Sequence, residues 1–179
     1  GMKKNQKLER PILTPSTKPG HGGHDESVSR DQILERKVIT AEQFDYIADV
    51  AMKLYQRGVE IAAKQGIILV DTKYEFGIFP DGKILLIDEI HTPDSSRFWF
   101  ADEYEKRFAA GEEQKKIDKE FLREWLAERG FKGEGEIPVI PDEIRAETAR
   151  RYIEAYELIT GQKFVGEVGD VSARLQKNL

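Results

Sequence analysis

Three charged residues alternate along one short stretch of the chain: Asp71, Lys73 and Glu75. Successive side chains of a β-strand point to opposite faces, so these three share one face and the intervening residues share the face toward the core. A row of acid, base and acid suits a cation or an anionic substrate. A strand that presents charges to solvent is the more ordinary explanation of the same pattern.

A Pro-Asp-Gly turn sequence separates two β-rich runs and predicts a hairpin. If Asp81 and Gly82 are the central pair of the turn, Glu75 faces Asp88; a four-residue loop with the same centre keeps this pairing, and a three-residue loop breaks it. Opposed carboxylates repel and are retained where a cation lies between them. Two carboxylates with room for water and phosphate suit Mg²⁺. We therefore expect a metal site at Glu75 and Asp88, with Lys73 near an anionic group.

A second group of candidate residues follows the hairpin, where a Thr-Pro-Asp-Ser-Ser-Arg sequence runs from 92 to 97. Such residues favour an ordinary turn at the end of a strand. They also suit an anion site, because hydroxyls, turn amides and the guanidinium fork of Arg97 bind phosphate.

The first forty residues are rich in proline and glycine and poor in large apolar side chains. They predict either a disordered tail or an extended segment lying on the rest of the molecule. His21 and His24 suggest a metal at first sight, but only His91 could add a third imidazole, so a polar substrate loop is the better interpretation.

Helical periodicity begins after Thr40, which forms a capping-box pattern with Gln43, and ends at Gly66. Two further helices are expected at 118–129, capped by Asp118, and at 142–160. Residues 92–116 are expected to form a long loop or a loop with a short helix. The predicted fold class is α+β: an antiparallel sheet around the 67–91 hairpin, covered by the helices at 40–65, 118–129 and 142–160. The expected divisions are 1–39, an extended segment; 40–164, a catalytic lobe; and 165–179, a tail.

Composition narrows the function classes. The chain has 179 residues, a formal net charge of −5 and no cysteine, which excludes disulfides and thiolate metal sites. Mild acidity argues against nucleic acid as the main partner. No apolar run is long enough to span a membrane and no secretory signal is visible, so a cytoplasmic protein is expected.

Four motifs together resemble the SAICAR synthetase (phosphoribosylaminoimidazole-succinocarboxamide synthase) family. Residues 69–77, LVDTKYEFG, match that family's D-x-K-x-E-F-G signature, and residues 88–99 match its D-E-x-x-T-P-D-S-S-R-x-W segment. Residues 14–18, TPSTK, with His24-Asp25-Glu26 resemble its T-P-S-T-K…H-D-E segment. Residues 118–123 match D-K-x-F-L-R. The similarity runs from about residue 10 to about residue 164.

The resemblance implies an ATP-dependent ligase of purine biosynthesis. ATP would phosphorylate the carboxylate of carboxyaminoimidazole ribotide, and the amine of L-aspartate would displace phosphate, giving SAICAR and ADP. ATP and Mg²⁺ are the implied cofactors. The roles implied for individual residues are nucleotide and magnesium binding by Lys73, Glu75 and Asp88; catalysis by Asp71, Lys73 and Asp94; and substrate binding by Ser96, Arg97, Arg123, Lys18, His24 and Asp25.

The same resemblance implies an N-terminal nucleotide lobe, to which no segment of this chain corresponds. We therefore expect a C-terminal lobe that needs this partner, and whose exposed sheet rim favours self-association into a homo-oligomer. The alternative is a non-catalytic binding lobe for ribotide or nucleotide. A homologue with a changed substrate is a third hypothesis, since a fold alone does not fix function.

Overall fold

The computed structural model describes residues 1–17, 26–117 and 120–178. Its strands are β1 (Ser16–Thr17), β2 (Glu26–Ser27), β3 (Ile67–Thr72), β4 (Glu75–Ile78), β5 (Ile84–Ile87), β6 (Ser96–Phe100) and β7 (Lys116–Ile117). Its helices are α1 (Arg30–Glu35), α2 (Ala41–Lys64), α3 (Ala101–Ala110), α4 (Glu120–Glu128), α5 (Asp142–Thr160) and α6 (Val171–Asn178). Helices and antiparallel strands confirm the predicted α+β class.

Helix α2 is the longest element, and its ends confirm the prediction from sequence. The Thr40 hydroxyl accepts a hydrogen bond from the Gln43 amide at 3.2 Å, and the Gln43 side chain accepts from the Thr40 amide at 2.9 Å. Gly66, at φ 71°, follows the last turn in the left-handed conformation that glycine adopts without steric cost. These two signals are local, so the sequence alone was enough to place both ends.

The main sheet has the antiparallel order β3-β6-β7, with β6 in the centre. Ile67 and Phe98 are each only 1% exposed, and they form the core with residues of α2, α5 and the neighbouring strands: Ala62, Leu69, Ile117 and Ala155. The core thus holds the site-bearing strands against two helices.

Residues 92–116 contain the short helix of the second alternative, α3, but the expectation of a loop around it is wrong, because the segment also supplies β6 and the start of β7. Phe98 and Trp99 are both buried, so both faces of β6 are covered. The alternation of polar and apolar residues that marks a half-exposed strand is therefore absent from this segment.

The hairpin of β4 and β5 forms as predicted, but its register differs. Glu75 lies opposite Ile87, so the expected direct pairing of Glu75 with Asp88 is wrong. The turn holds three residues: the Phe79 amide donates to the Lys83 carbonyl at 2.9 Å, and Gly82 adopts φ 84°. A left-handed glycine at the end of a three-residue loop is a standard hairpin connection.

The hairpin is also separate from the strand that carries Asp71. β3 ends at Thr72 and β4 starts at Glu75, so the expectation of one continuous strand through Asp71, Lys73 and Glu75 is wrong. β4 and β5 form their own two-stranded sheet. Lys73 and Tyr74 make the connection between the two sheets.

The remaining helices agree with the sequence pattern where it was clear. α5 has the predicted bounds, and α4 covers most of the predicted 118–129 helix, whose expected cap Asp118 lies outside the described residues. Before α2, the buried residues Val28 and Ile33 pack with Phe44, so part of the 1–39 segment belongs to the packed structure. None of the helices in the described part of the chain combines the length and the hydrophobicity that a transmembrane span requires.

Candidate substrate and metal site

A β-bulge brings the first two candidate residues together. The register moves from Leu69 opposite Phe98 to Asp71 opposite Arg97, which leaves Val70 as the extra residue. Directly opposed side chains share a face. The Arg97 Nε accordingly donates to Asp71 Oδ1 at 2.8 Å, and Arg97 Nη2 donates to Asp71 Oδ2. One edge of the guanidinium is therefore held in a bidentate ion pair.

Tyr55 of α2 stabilises the bulge. Its hydroxyl donates a bifurcated hydrogen bond to two carbonyl oxygens, that of Leu69 at 3.0 Å and that of Val70 at 3.1 Å. Burial raises the pKa of the Tyr55 phenol, with a further contribution from the charge of Asp71. The phenol therefore remains a proton donor at neutral pH.

The pair lies on one wall of a cleft of about 380 Å³. Five predicted site residues line it together with three others: Asp71, Asp94, Ser96, Arg97 and Arg123, and Pro93, Ser95 and Lys116. Three cationic side chains and two carboxylates therefore face one cavity. This charge pattern suits an anionic ligand that also carries hydrogen-bond donors. Sequence analysis did not identify Lys116 as a candidate residue, because the strand β7 that positions it is only two residues long.

The turn before β6 is fixed by its own side chains. The Ser96 amide donates to the Thr92 carbonyl at 3.0 Å, and Thr92 Oγ1 accepts from the Asp94 amide at 3.2 Å. Ser96 is 4% exposed, and its hydroxyl donates to Thr72 Oγ1 at 2.9 Å. The hydroxyl of Ser96 thus ties the turn to β3, and its role in ligand binding stays a prediction.

Helix α5 reaches the same turn through Tyr152, whose hydroxyl donates to Asp94 Oδ1 at 2.8 Å. No motif in the sequence indicated this contact. The hydrogen bond restricts the orientation of the Asp94 carboxylate in the cleft.

The predicted metal residues lie at the hairpin. Lys73 Nζ is 3.1 Å from Glu75 Oε1, and the Lys73 amide donates to the Ser95 carbonyl at 2.9 Å. Asp88 directly follows β5 and adopts φ 66°. No group of three metal-binding side chains occurs among the residues that the structure describes. Two carboxylates fit an ion that takes its remaining ligands from water and phosphate, as Mg²⁺ does.

Tyr74 and His91 connect the two halves of the site. The Tyr74 hydroxyl is hydrogen-bonded to His91 Nε2, and the two rings meet edge to face with centroids 5.5 Å apart. Burial raises the pKa of Tyr74 to about 12 and lowers the pKa of His91. Both groups are therefore neutral near pH 7. Lys18, His24 and Asp25, the remaining predicted substrate residues, lie outside the described residues, as does His21.

The fold and the site together define an α+β lobe with a cleft lined by three cationic and two acidic side chains. The SAICAR synthetase family model matches residues 1–140. Among curated relatives, a putative phosphoribosylaminoimidazole-succinocarboxamide synthase 2 of Agrobacterium fabrum is 49% identical over all of this chain, and a phosphoribosylaminoimidazole-succinocarboxamide synthase of Bacteroides fragilis is 50% identical. The chain belongs to the SAICAR synthetase family.

Solved structures of SAICAR synthases also resemble this chain. The SAICAR synthase of Saccharomyces cerevisiae in complex with SAICAR superposes with a TM-score of 0.72 and 39% identity, over 93% of this chain and 52% of that one. A SAICAR synthetase in complex with ADP gives a TM-score of 0.63 and 29% identity, over 89% of this chain and 55% of that one. The chain spans 57% and 58% of the two curated relatives.

Proposed function

We propose that this chain supplies the substrate and metal-binding part of an ATP-dependent ligase that joins carboxyaminoimidazole ribotide to L-aspartate, giving SAICAR, ADP and phosphate. The observation that carries the proposal is the cleft that gathers Arg97, Lys116 and Arg123 beside Asp71 and Asp94. The likeness to a structure holding SAICAR supports it.

The cationic side of the cleft is suited to the 5′-phosphate of the ribotide. Arg97 is oriented by Asp71, which fixes one edge of its guanidinium. Lys116 and Arg123 add positive charge from β7 and α4. A held guanidinium loses less conformational freedom when a phosphate binds than a mobile one does. Ser96 and the amides of its turn are the remaining candidates for phosphate contacts.

The acidic side of the cleft is suited to the amino groups of the reaction. The Asp94 carboxylate, oriented by Tyr152, would accept a hydrogen bond from the amine of L-aspartate or from the aminoimidazole. Asp71 is the second candidate, although its carboxylate already binds Arg97. Holding the amine close to the activated carboxylate is the main physical requirement of such a reaction.

The hairpin is suited to the nucleotide. Glu75 and Asp88 would hold Mg²⁺, and Lys73 would balance phosphate charge from the connection between β3 and β4. When bound, Mg²⁺ neutralises charge on the transferred phosphoryl group. A relative in complex with ADP supports ATP as the phosphoryl donor. We also propose a cytoplasmic location, in keeping with a chain that has no cysteine.

A second candidate function is a ribotide- or nucleotide-binding lobe that catalyses nothing by itself. It is favoured by the length of the curated relatives, of which this chain spans 57% in the first case. In either case the partners are small molecules and the rest of such an enzyme.

Calorimetric titration of the chain with SAICAR tests the assigned ligand. We expect one SAICAR per chain, and weaker binding of the matching nucleoside, because the cationic wall of the cleft would lose its phosphate. Equal affinity for SAICAR and for its nucleoside would contradict the phosphate site. The absence of heat with both would contradict the ligand assignment.

A further inference from the structure

His91 has a backbone conformation that is unusual for a residue other than glycine. Its backbone is left-handed, with φ 54°, a conformation that is uncommon outside glycine. Its ring is half-buried and hydrogen-bonded to the Tyr74 hydroxyl. A conformation of this kind persists where surrounding contacts determine it.

Gly58 provides the space for the His91 ring. It lies inside α2, where it is buried. A Cβ atom at position 58 would stand 2.8 Å from both His91 Nε2 and Leu69 Cδ2, and closer still to His91 Cε1. Glycine is among the poorest helix-forming residues. Its presence inside a long helix is therefore explained by the imidazole and the Leu69 side chain that lie against it.

The contact joins the two chain segments that carry the proposed ligands. Tyr74 lies between Lys73 and Glu75 in the connection from β3 to β4. His91 lies between Asp88 and Asp94 in the connection from β5 to β6. Neither connection is held by a strand ladder at these positions. The Tyr74–His91 contact ties the two connections together, beside the backbone hydrogen bond from the Lys73 amide to the Ser95 carbonyl.

We propose that Gly58, His91 and Tyr74 form a positioning unit that fixes the Lys73–Glu75 segment relative to the Asp88–Asp94 segment, with α2 as its base. The three residues act through the site residues and need not touch the substrate. The consequence for ligand binding rests on the proposed function, whereas the packing of the unit does not.

A double-mutant cycle tests the packing. In urea unfolding of the full chain, we expect Gly58→Ala to lower the transition midpoint, because its methyl group displaces the imidazole. In a His91→Ala background the same change should lower the midpoint by less, because the clash with the imidazole is gone while that with the Leu69 side chain remains. Additive effects of the two changes would overturn the proposal.

Tyr74→Phe tests the positioning itself, since it removes one hydroxyl and keeps the ring. Tyr46→Phe is the matched control, because Tyr46 lies on the same helix as Gly58 and is 53% exposed. In amide NMR spectra we expect Tyr74→Phe to shift the signals of residues 88–94 as well as those of 73–75, and Tyr46→Phe to leave both unchanged. Shifts confined to residues 73–75 would overturn the proposal.

SAICAR titration then separates this proposal from the proposed function. We expect Tyr74→Phe to weaken SAICAR binding at least threefold and Tyr46→Phe to leave it unchanged. Unchanged binding in Tyr74→Phe would overturn the positioning role. If the unmodified chain does not bind SAICAR, the proposed function fails, and the unfolding cycle and the NMR shifts still decide whether the unit exists.

Discussion

Replacing Arg97 with lysine is the most informative single change, because it retains the charge and removes the planar fork. A control with matched geometry is available at Arg30, whose Nε and Nη2 each lie 3.1 Å from one carboxylate oxygen of Asp45. Side-chain exposures are similar: 59% and 49% for Arg97 and Asp71, and 42% and 63% for Arg30 and Asp45. The two pairs differ in that Arg97 and Asp71 line the cleft, whereas the Arg30 guanidinium lies over the Phe44 ring, with 5.6 Å from its carbon to the ring centroid.

The structure sets the expected sizes of the two effects. Exposed ion pairs contribute about 0.2–1 kcal/mol, so Arg97→Lys and Arg30→Lys should each lower the free energy of unfolding by less than about 1 kcal/mol. A hydrogen bond to a charged group is worth about 1.5–3 kcal/mol. If the guanidinium fork holds the ribotide phosphate, Arg97→Lys should weaken SAICAR binding by about 10- to 100-fold.

Calorimetry with SAICAR and urea unfolding measure these two quantities on the same preparations. We expect the stability changes to be alike and the binding change to occur only in Arg97→Lys. SAICAR affinity within about twofold of the unmodified chain would refute the assignment of Arg97 to the phosphate. An equal loss of binding in Arg30→Lys would show that the effect is transmitted through the fold.

Three further changes test other parts of the account. Glu75→Gln should abolish the increase in ADP affinity that Mg²⁺ produces in calorimetry, whereas Glu60→Gln on α2 should retain it; retention in both would contradict the metal assignment. Tyr152→Phe removes the hydrogen bond to Asp94 and should weaken SAICAR binding about fivefold, since a bond to a charged group contributes about 1.5–3 kcal/mol and orienting the carboxylate for the ligand accounts for only part of it; unchanged affinity would remove Asp94 from the site. Arg150 and Arg151 lower the pKa of Glu147 to about 2 from 4.5, so its contribution to stability is complete above pH 4.5 and is lost as the pH falls toward 2. The difference in melting temperature between the chain and Glu147→Gln should therefore shrink over that interval, and a constant difference would contradict the ion pair.

Local signals predicted α2, α4 and α5 correctly, whereas α1 and α6 were not predicted. The Thr40 capping box and the left-handed Gly66 define the ends of α2 through contacts within a few residues. Helix α5 has the bounds read from its sequence, 142–160. Such elements are predictable because their caps and their apolar periodicity lie within one short window of sequence.

Registers and distant contacts were not predictable in the same way. One residue more in the turn moved Glu75 from Asp88 to Ile87, and the composition of a Pro-Asp-Gly turn fits both loop lengths. The bulge at Val70 was equally invisible, although it places Asp71 opposite Arg97. Candidate site residues could therefore be proposed from their types and motifs, whereas their pairing and their position around the cleft required the structure.

The central claim is that this chain carries the substrate and metal groups of a SAICAR-forming ligase. ADP release tests it most directly, with the chain and the remaining part of the Agrobacterium fabrum relative supplied as two polypeptides. We expect ADP release only when both polypeptides, ATP, Mg²⁺, L-aspartate and carboxyaminoimidazole ribotide are present. A stable complex of the two polypeptides that releases no ADP under these conditions would contradict the account.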